Sequence, residues 1–215
     1  SSANAALAGI NGFLRFWSWD DCCVKPFKVQ KKIYCPEEKE LTREEYIRLI
    51  RTAKEKSSER LALLLESICA TGIRVSELQF ITVEAVERGE AVVTCKGKTR
   101  TVFLPSALRS KLRGYIHKQK LCTGPVFVTG RGKPVNRSNI WREMKSLCSR
   151  ANVSPTKVFP HSLRKLFART FYSIDHDVAK LADILGHANI NTTRIYIITT
   201  GAEHRRKMEA MRLVI

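Results

Sequence analysis

The sequence predicts a mainly α fold carrying one small three-stranded antiparallel sheet, an α+β arrangement. Three observations lead there. Apolar residues recur at helical spacing over most of the 215-residue chain. The period changes between residues 82 and 104, where β-branched and alternating residues replace it. Capping and breaking residues fall where those two patterns meet.

In order, Ala6, Leu7, Ile10, Phe13, Leu14 and Trp17 mark an amphipathic helix over residues 3–18. Residues 20–40 have no period, hold Pro26 and Pro36, and carry Lys25, Lys28, Lys31 and Lys32, which reads as a basic linker. Thr42 with Glu45 forms a capping box, and the helix it starts runs to about Lys56 with Tyr46, Ile47, Leu49 and Ile50 as its core face. A leucine-rich helix covers Arg60–Ala70, Gly72 interrupts it, and a short helix follows over Val75–Phe80. Strands are expected at Thr82–Val86, Ala91–Cys95 and Thr99–Leu104, with turns at residues 87–90 and at Lys96-Gly97-Lys98. Pro105 opens a helix to Leu121, Val126–Val128 is extended, and Gly130–Pro134 is a basic turn. Helices then fall over Asn136–Ala151, 162–173, 177–185, 189–197 and 202–214. On the last, Met208, Met211 and Ile215 share a face that suits either the domain itself or a neighbouring protomer.

Charge narrows the function. Lys plus Arg is 38 and Asp plus Glu is 20, a formal charge of +18, which points to a polyanionic partner. No run approaches the roughly 18 consecutive apolar residues that a membrane helix needs. The seven cysteines are scattered without a C-x-x-C pair, so zinc-knuckle and thioredoxin readings fail; free thiols in a reducing cytoplasm are expected, with Cys69 and Cys148 as small core hydrophobes. The chain opens on Ser1 with no secretory pattern, and it reads as a cytoplasmic fragment.

Three clusters carry chemistry. In Ala70-Thr-Gly-Ile-Arg74-Val-Ser-Glu77-Leu78, Gly72 turns the chain and places Arg74 at a helix start, with Glu77 three residues on to steady it. In Pro160-His161-Ser-Leu-Arg164, the i, i+3 spacing puts a titratable imidazole and a fixed planar cation on one helix face, suited to an anionic substrate. In Leu185-Gly186-His187, followed by Thr192-Thr193-Arg194-Ile195-Tyr196, Gly186 ends a helix in the left-handed conformation and His187 projects from the turn. Singly, each cluster reads as readily as a solvated charge, a capping histidine or a half-buried aromatic.

Together these clusters, with Lys96 in the hairpin turn, resemble the tyrosine recombinase family of phage, transposon and chromosome-resolving integrases. The resemblance runs in order from about residue 40 to 200. It implies the family's DNA breaking-rejoining catalytic fold over residues 36–215, and it makes residues 1–35 the end of a core-binding domain plus linker. It implies cutting and rejoining of double-stranded DNA through a 3′-phosphotyrosine, with Tyr196 as nucleophile, Arg74 and Arg164 on the phosphate oxygens, and His161 as proton acceptor. Lys96 becomes the general acid, ahead of Lys98 in the same turn because the family's lysine directly precedes this glycine. His187 donates a further hydrogen bond to the phosphate. No metal, ATP or other cofactor is expected, and a homotetramer on paired sites is. Two rivals share the fold: a type IB topoisomerase-like enzyme and a non-catalytic DNA-binding regulator, the second disfavoured because every reactive residue is present. His117, His176 and His204 match no motif and read as surface or packing residues.

Overall fold

The structure, a computed structural model, describes residues 2–27, 40–56, 58–95, 97–197 and 201–211. The chain divides into two compact units, residues 1–34 and 35–215. In the first, helix α1 (Ser2–Phe16) is followed by a turn of 3₁₀ helix at Asp20–Cys22. Residues 23–27 are ordered against α1, where the sequence suggested only a linker. Asn11 brackets the backbone of Val24 (2.8 and 3.0 Å), and Asn4 brackets that of Phe27 (2.9 and 2.8 Å). Each amide thereby replaces a strand partner for an otherwise unpaired peptide group. The lysines at 28, 31 and 32 lie outside the described residues.

The second unit is built around α3 (Glu59–Thr71), which packs against α2 (Arg43–Glu55), α5 (Ser106–Lys118) and α7 (Pro160–Asp175). Leu64, Leu65 and Ile68 of α3 are wholly buried, each contributing about 1.5–3 kcal/mol of transfer free energy. The capping box on α2 forms as its sequence requires, the Thr42 hydroxyl accepting from Glu45 N–H at 3.2 Å and the Glu45 carboxylate from Thr42 N–H at 2.9 Å. Its core face differs by one position: Leu49 and Ile50 are buried with Thr52 and Ala53, while Ile47 is exposed.

The sheet has two strands among the described residues. β1 (Glu90–Cys95) and β2 (Lys98–Phe103) pair antiparallel, from Glu90 opposite Phe103 to Cys95 opposite Lys98. The strand expected over Thr82–Val86 is instead helix α4 (Val83–Arg88). The Thr82 hydroxyl accepts from Ala85 N–H at 3.1 Å, and a single bridge to Pro125 is all that remains of strand character. Five residues are too few for the period to decide, and the threonine cap does.

Helix α6 (Arg137–Lys145) is shorter than expected and closes in turns through Ala151. Beyond α7, α8 (Val178–Leu185) and α9 (Ile190–Arg194) pack together, and α10 (Gly201–Ala210) follows. A second small apolar cluster forms from Ala168, Leu181, Leu185 and Tyr196. Cys148 is buried and Cys69 half-buried against the main core.

Candidate active site

Arg74 is held at its backbone and at its side chain. It precedes the short 3₁₀ helix Val75–Phe80, and its N–H donates to Glu77 Oε2 at 2.9 Å. Its Nη1 donates to Glu77 Oε1 at 2.9 Å and its Nη2 to the Gly186 carbonyl at 3.1 Å. The side chain is still 36% exposed, so donors remain for an outside partner.

Glu77 is 1% exposed and takes a second guanidinium, Arg100 from β2, which grips both oxygens at 2.9 and 2.7 Å. Burial alone would push this carboxyl up. Hydrogen bonds from Arg100 first, then from Arg74, outweigh it and hold the group at about 2.

Arg164 occupies the opposite environment. It is 2% exposed, on the first turns of α7. Its Nη1 donates to the Gly72 carbonyl, and its Nη2 to the Leu185 carbonyl at 2.6 Å. Gly72 has φ +64°, and a Cβ there would meet the Phe167 ring, so only glycine turns the chain tightly enough to aim that carbonyl. Burial, then the Arg74 charge, lowers Arg164 to about 10, and its Nε is buried with no hydrogen-bond partner among the described residues.

His187 lies against Arg164. Its Nε2 is 3.1 Å from Arg164 Nη2 and its Nδ1 2.8 Å from the hydroxyl of the fully buried Thr193. A guanidinium only donates, so Nε2 accepts and the ring proton sits on Nδ1. Burial, followed by the charges of Arg164 and Arg74, pushes the imidazole down to about 4 and keeps it neutral. The sequence suggested that His187 donates to a substrate; in this structure both ring nitrogens are used on protein partners.

Tyr196 follows α9, with its backbone N–H donating to Thr193 at 2.9 Å. The residue is 6% exposed, and its hydroxyl lies 2.8 Å from His161 Nε2. The rings of His161 and His187 flank it edge-on, at 5.0 and 5.2 Å between centroids. Burial, then the charges of Arg164, Lys165 and Arg74, lowers the His161 pKa, so this imidazole is neutral and able to accept the phenolic proton.

Five of the six residues singled out from sequence therefore converge, drawn from segments up to 122 residues apart: Arg74, His161, Arg164, His187 and Tyr196. The sixth, Lys96, lies outside the described residues; its rival Lys98 opens β2, paired with Cys95. Arg74, His161 and Arg164 line a cleft of 740 Å³, together with Arg137, Trp141 and Arg142 of α6. A second cleft, of 670 Å³, shares Arg74 and is lined by Arg100 and His187. Sequence reasoning missed Arg137, Trp141, Arg142 and Arg100. The first two stand four apart on one helix face, and Arg100 is a charge at an inward position of its strand.

The chain belongs to the phage integrase family, whose model matches residues 39–202. It is similar to the tyrosine recombinase XerA of Pyrococcus furiosus, 31% identical over 184 residues that cover 82% of this chain and 63% of that protein. The chain thus spans less than two thirds of that relative's length. Among solved structures it is similar to the XerA recombinase crystal structure, at 25% identity and TM-score 0.70, covering 98% of this chain and 75% of that one. It is similar too to XerH site-specific recombinase bound to a palindromic difH substrate in a post-cleavage complex, with 25% identity and TM-score 0.70 over 88% of this chain and 56% of that one. The resemblance read from the motifs is correct at the level of family, and so is the mainly helical fold with its small sheet, less one strand.

Proposed function

We propose that this chain is the catalytic part of a site-specific recombinase, cutting and rejoining double-stranded DNA through a 3′-phosphotyrosine. The observation that carries this reading is the Tyr196 hydroxyl, 2.8 Å from a neutral His161 and beside the basic cleft of Arg74 and Arg164. A free phenol titrates near ~10, so its attack at neutral pH needs an acceptor for the proton. His161 Nε2 takes it as the Tyr196 oxygen bonds to phosphorus and the 5′-oxygen leaves. The 5′-oxygen takes its proton from a general acid, a role assigned to Lys96 on the motif alone.

Charge rises on the non-bridging oxygens in that step, and Arg74, the more open guanidinium, supplies donors to them. Arg164 adds positive potential from below while holding His187. The phosphotyrosine keeps the phosphodiester energy, so rejoining needs no ATP. The +18 charge and the basic α6 face supply affinity for the duplex.

Residues 1–35 read here as the end of a preceding DNA-binding domain. XerH, a structural neighbour, was solved bound to a palindromic difH substrate, and the Tn1549 transposon integrase, a neighbour in fold, in complex with circular intermediate DNA. Assembly as a homotetramer on paired sites follows from the family, with exposed Met208 and Met211 of the α10 segment as the contact offered to a neighbour.

The test is a nicked duplex, selected from a random pool by covalent capture on the wild-type chain. Wild type should trap a protein–DNA adduct at Tyr196, and Tyr196→Phe should bind the duplex within about 3-fold and trap none. An adduct that persists in Tyr196→Phe, or that maps to Tyr172, overturns the assignment. Relaxation of supercoiled DNA without strand exchange would move the chain to the topoisomerase class.

A further inference from the structure

We infer that Arg100 is a positioning residue for Arg74: by gripping both oxygens of the buried Glu77 it fixes the Arg74 guanidinium and leaves that guanidinium's charge free for the substrate phosphate.

Arg100 stands opposite Val93 in the hairpin, and directly opposed residues share a face of the sheet. Val93 is buried, so Arg100 faces inward, in register with Val102 and Leu104, where an apolar residue would ordinarily sit. A guanidinium at such a position needs a partner there, and Glu77 is that partner.

Glu77 is shared unequally. Arg100 spans both carboxylate oxygens at 2.9 and 2.7 Å, whereas the Arg74 side chain reaches only Oε1. One carboxylate between two guanidiniums leaves a net charge of +1. Arg100 is the more buried of the pair, at 15% against 36% exposure, so the uncompensated charge is presented at Arg74. Without Arg100, Glu77 would pair with Arg74 alone and cancel it. Glu77 would also lose the fork that holds its plane, and with it the two hydrogen bonds orienting Arg74.

A second contact points the same way. A Cβ on Gly186 would lie 2.7 Å from Arg100 Cδ, so the Arg100 stem packs directly on the residue whose carbonyl accepts from Arg74 Nη2. Gly186 has φ +63° and precedes His187. Arg100 therefore supports Arg74 from both its protein partners, Glu77 and Gly186.

This rests on the recombinase reading, and the experiment separates the two. The full chain and Arg100→Lys, which keeps the charge and loses the fork, are compared on the captured nicked duplex. The scissile phosphate is either an ordinary phosphodiester or a methylphosphonate, whose neutral phosphorus has little need of Arg74. On the phosphodiester, Arg100→Lys should slow adduct formation about 10- to 100-fold, the scale expected when a charged donor is misplaced, with duplex affinity within about 3-fold. On the methylphosphonate the penalty should shrink below about 3-fold. Equal slowing on both substrates, or none on either, overturns the inference, since a general loss of packing would not distinguish them. A wild-type chain that traps no adduct on any duplex fails the recombinase reading instead. Nitrogen-15 relaxation of the Arg74 Nε–H then still decides the positioning: order lost in Arg100→Lys supports it, and order unchanged overturns it.

Discussion

Arg74 and Arg164 carry the same charge into the same cleft and are held in opposite ways. Arg164 is 2% exposed and spends its donors on backbone carbonyls of Gly72 and Leu185. Arg74 is 36% exposed and rests on a carboxylate whose charge Arg100 has already met. Burying a guanidinium costs several kcal/mol before its hydrogen bonds offset it, which the fold accepts at Arg164 because that residue ties the turn after α3 to the end of α8. The lesson is that a pair of arginines read from sequence as equivalent phosphate clamps divides its labour. On the recombinase reading proposed above, Arg164 builds the site, and Arg74 is the one poised to face a substrate.

The sharpest way to break this division is to measure rate and stability on both. Arg74→Lys keeps the charge and loses the fork, and adduct formation on the captured duplex should fall about 10²–10³-fold. Its unfolding free energy should move by less than about 1 kcal/mol, since the lost interactions are partly solvated. Arg164→Ala should do what Arg74→Lys does not, lowering the unfolding free energy by about 2–4 kcal/mol. It leaves two buried carbonyls and the His187 ring without their donor. Urea titrations followed by circular dichroism read both. A stable Arg164→Ala beside an unstable Arg74→Lys would invert the comparison.

Most of the site was legible because local rules and reactive chemistry coincided there. Gly72 and Gly186 announce turns, Thr42 announces a helix start, and the family motif orders the reactive residues between them. Asn189 caps α9 by accepting from Asn191 N–H at 2.8 Å, and Tyr196 follows two residues beyond the end of that helix. What was not legible depends on tertiary partners. The strand expected at Thr82–Val86 failed because a cap overrode a five-residue pattern. Arg100 was invisible because its meaning lies in Glu77, 23 residues away. The fates of Arg74 and Arg164 could not be told apart, since the carbonyls that bury Arg164 belong to Gly72 and Leu185, 92 and 21 residues distant.

The smallest expected effect separates the two arginines by pH. Next to Arg164, His187 titrates near 6.5 when unfolded and about 4 when folded. Above pH 6.5 it is neutral in both states and its contribution to stability is complete. As the pH falls from 6.5 towards 4, the unfolded chain takes up a proton that the folded chain refuses, so stability drains over that window, by about 1 kcal/mol once solvent screening of the half-exposed ring is allowed for. His161, lowered in the same direction, adds to it. Next to Arg74, Glu77 behaves differently: its pKa falls from 4.5 unfolded to about 2 folded. Its contribution is whole above 4.5 and is lost between 4.5 and 2, where the unfolded carboxylate protonates first. Unfolding free energies at pH 7, 5 and 3 should therefore show two successive losses. His187→Gln, which retains an amide to meet Thr193, should flatten the first and spare the second. Glu77→Gln should leave the first and flatten the second. A single loss that both substitutions abolish together would mean the two arginine environments titrate as one unit, and the division of labour between Arg164 and Arg74 would fall with it.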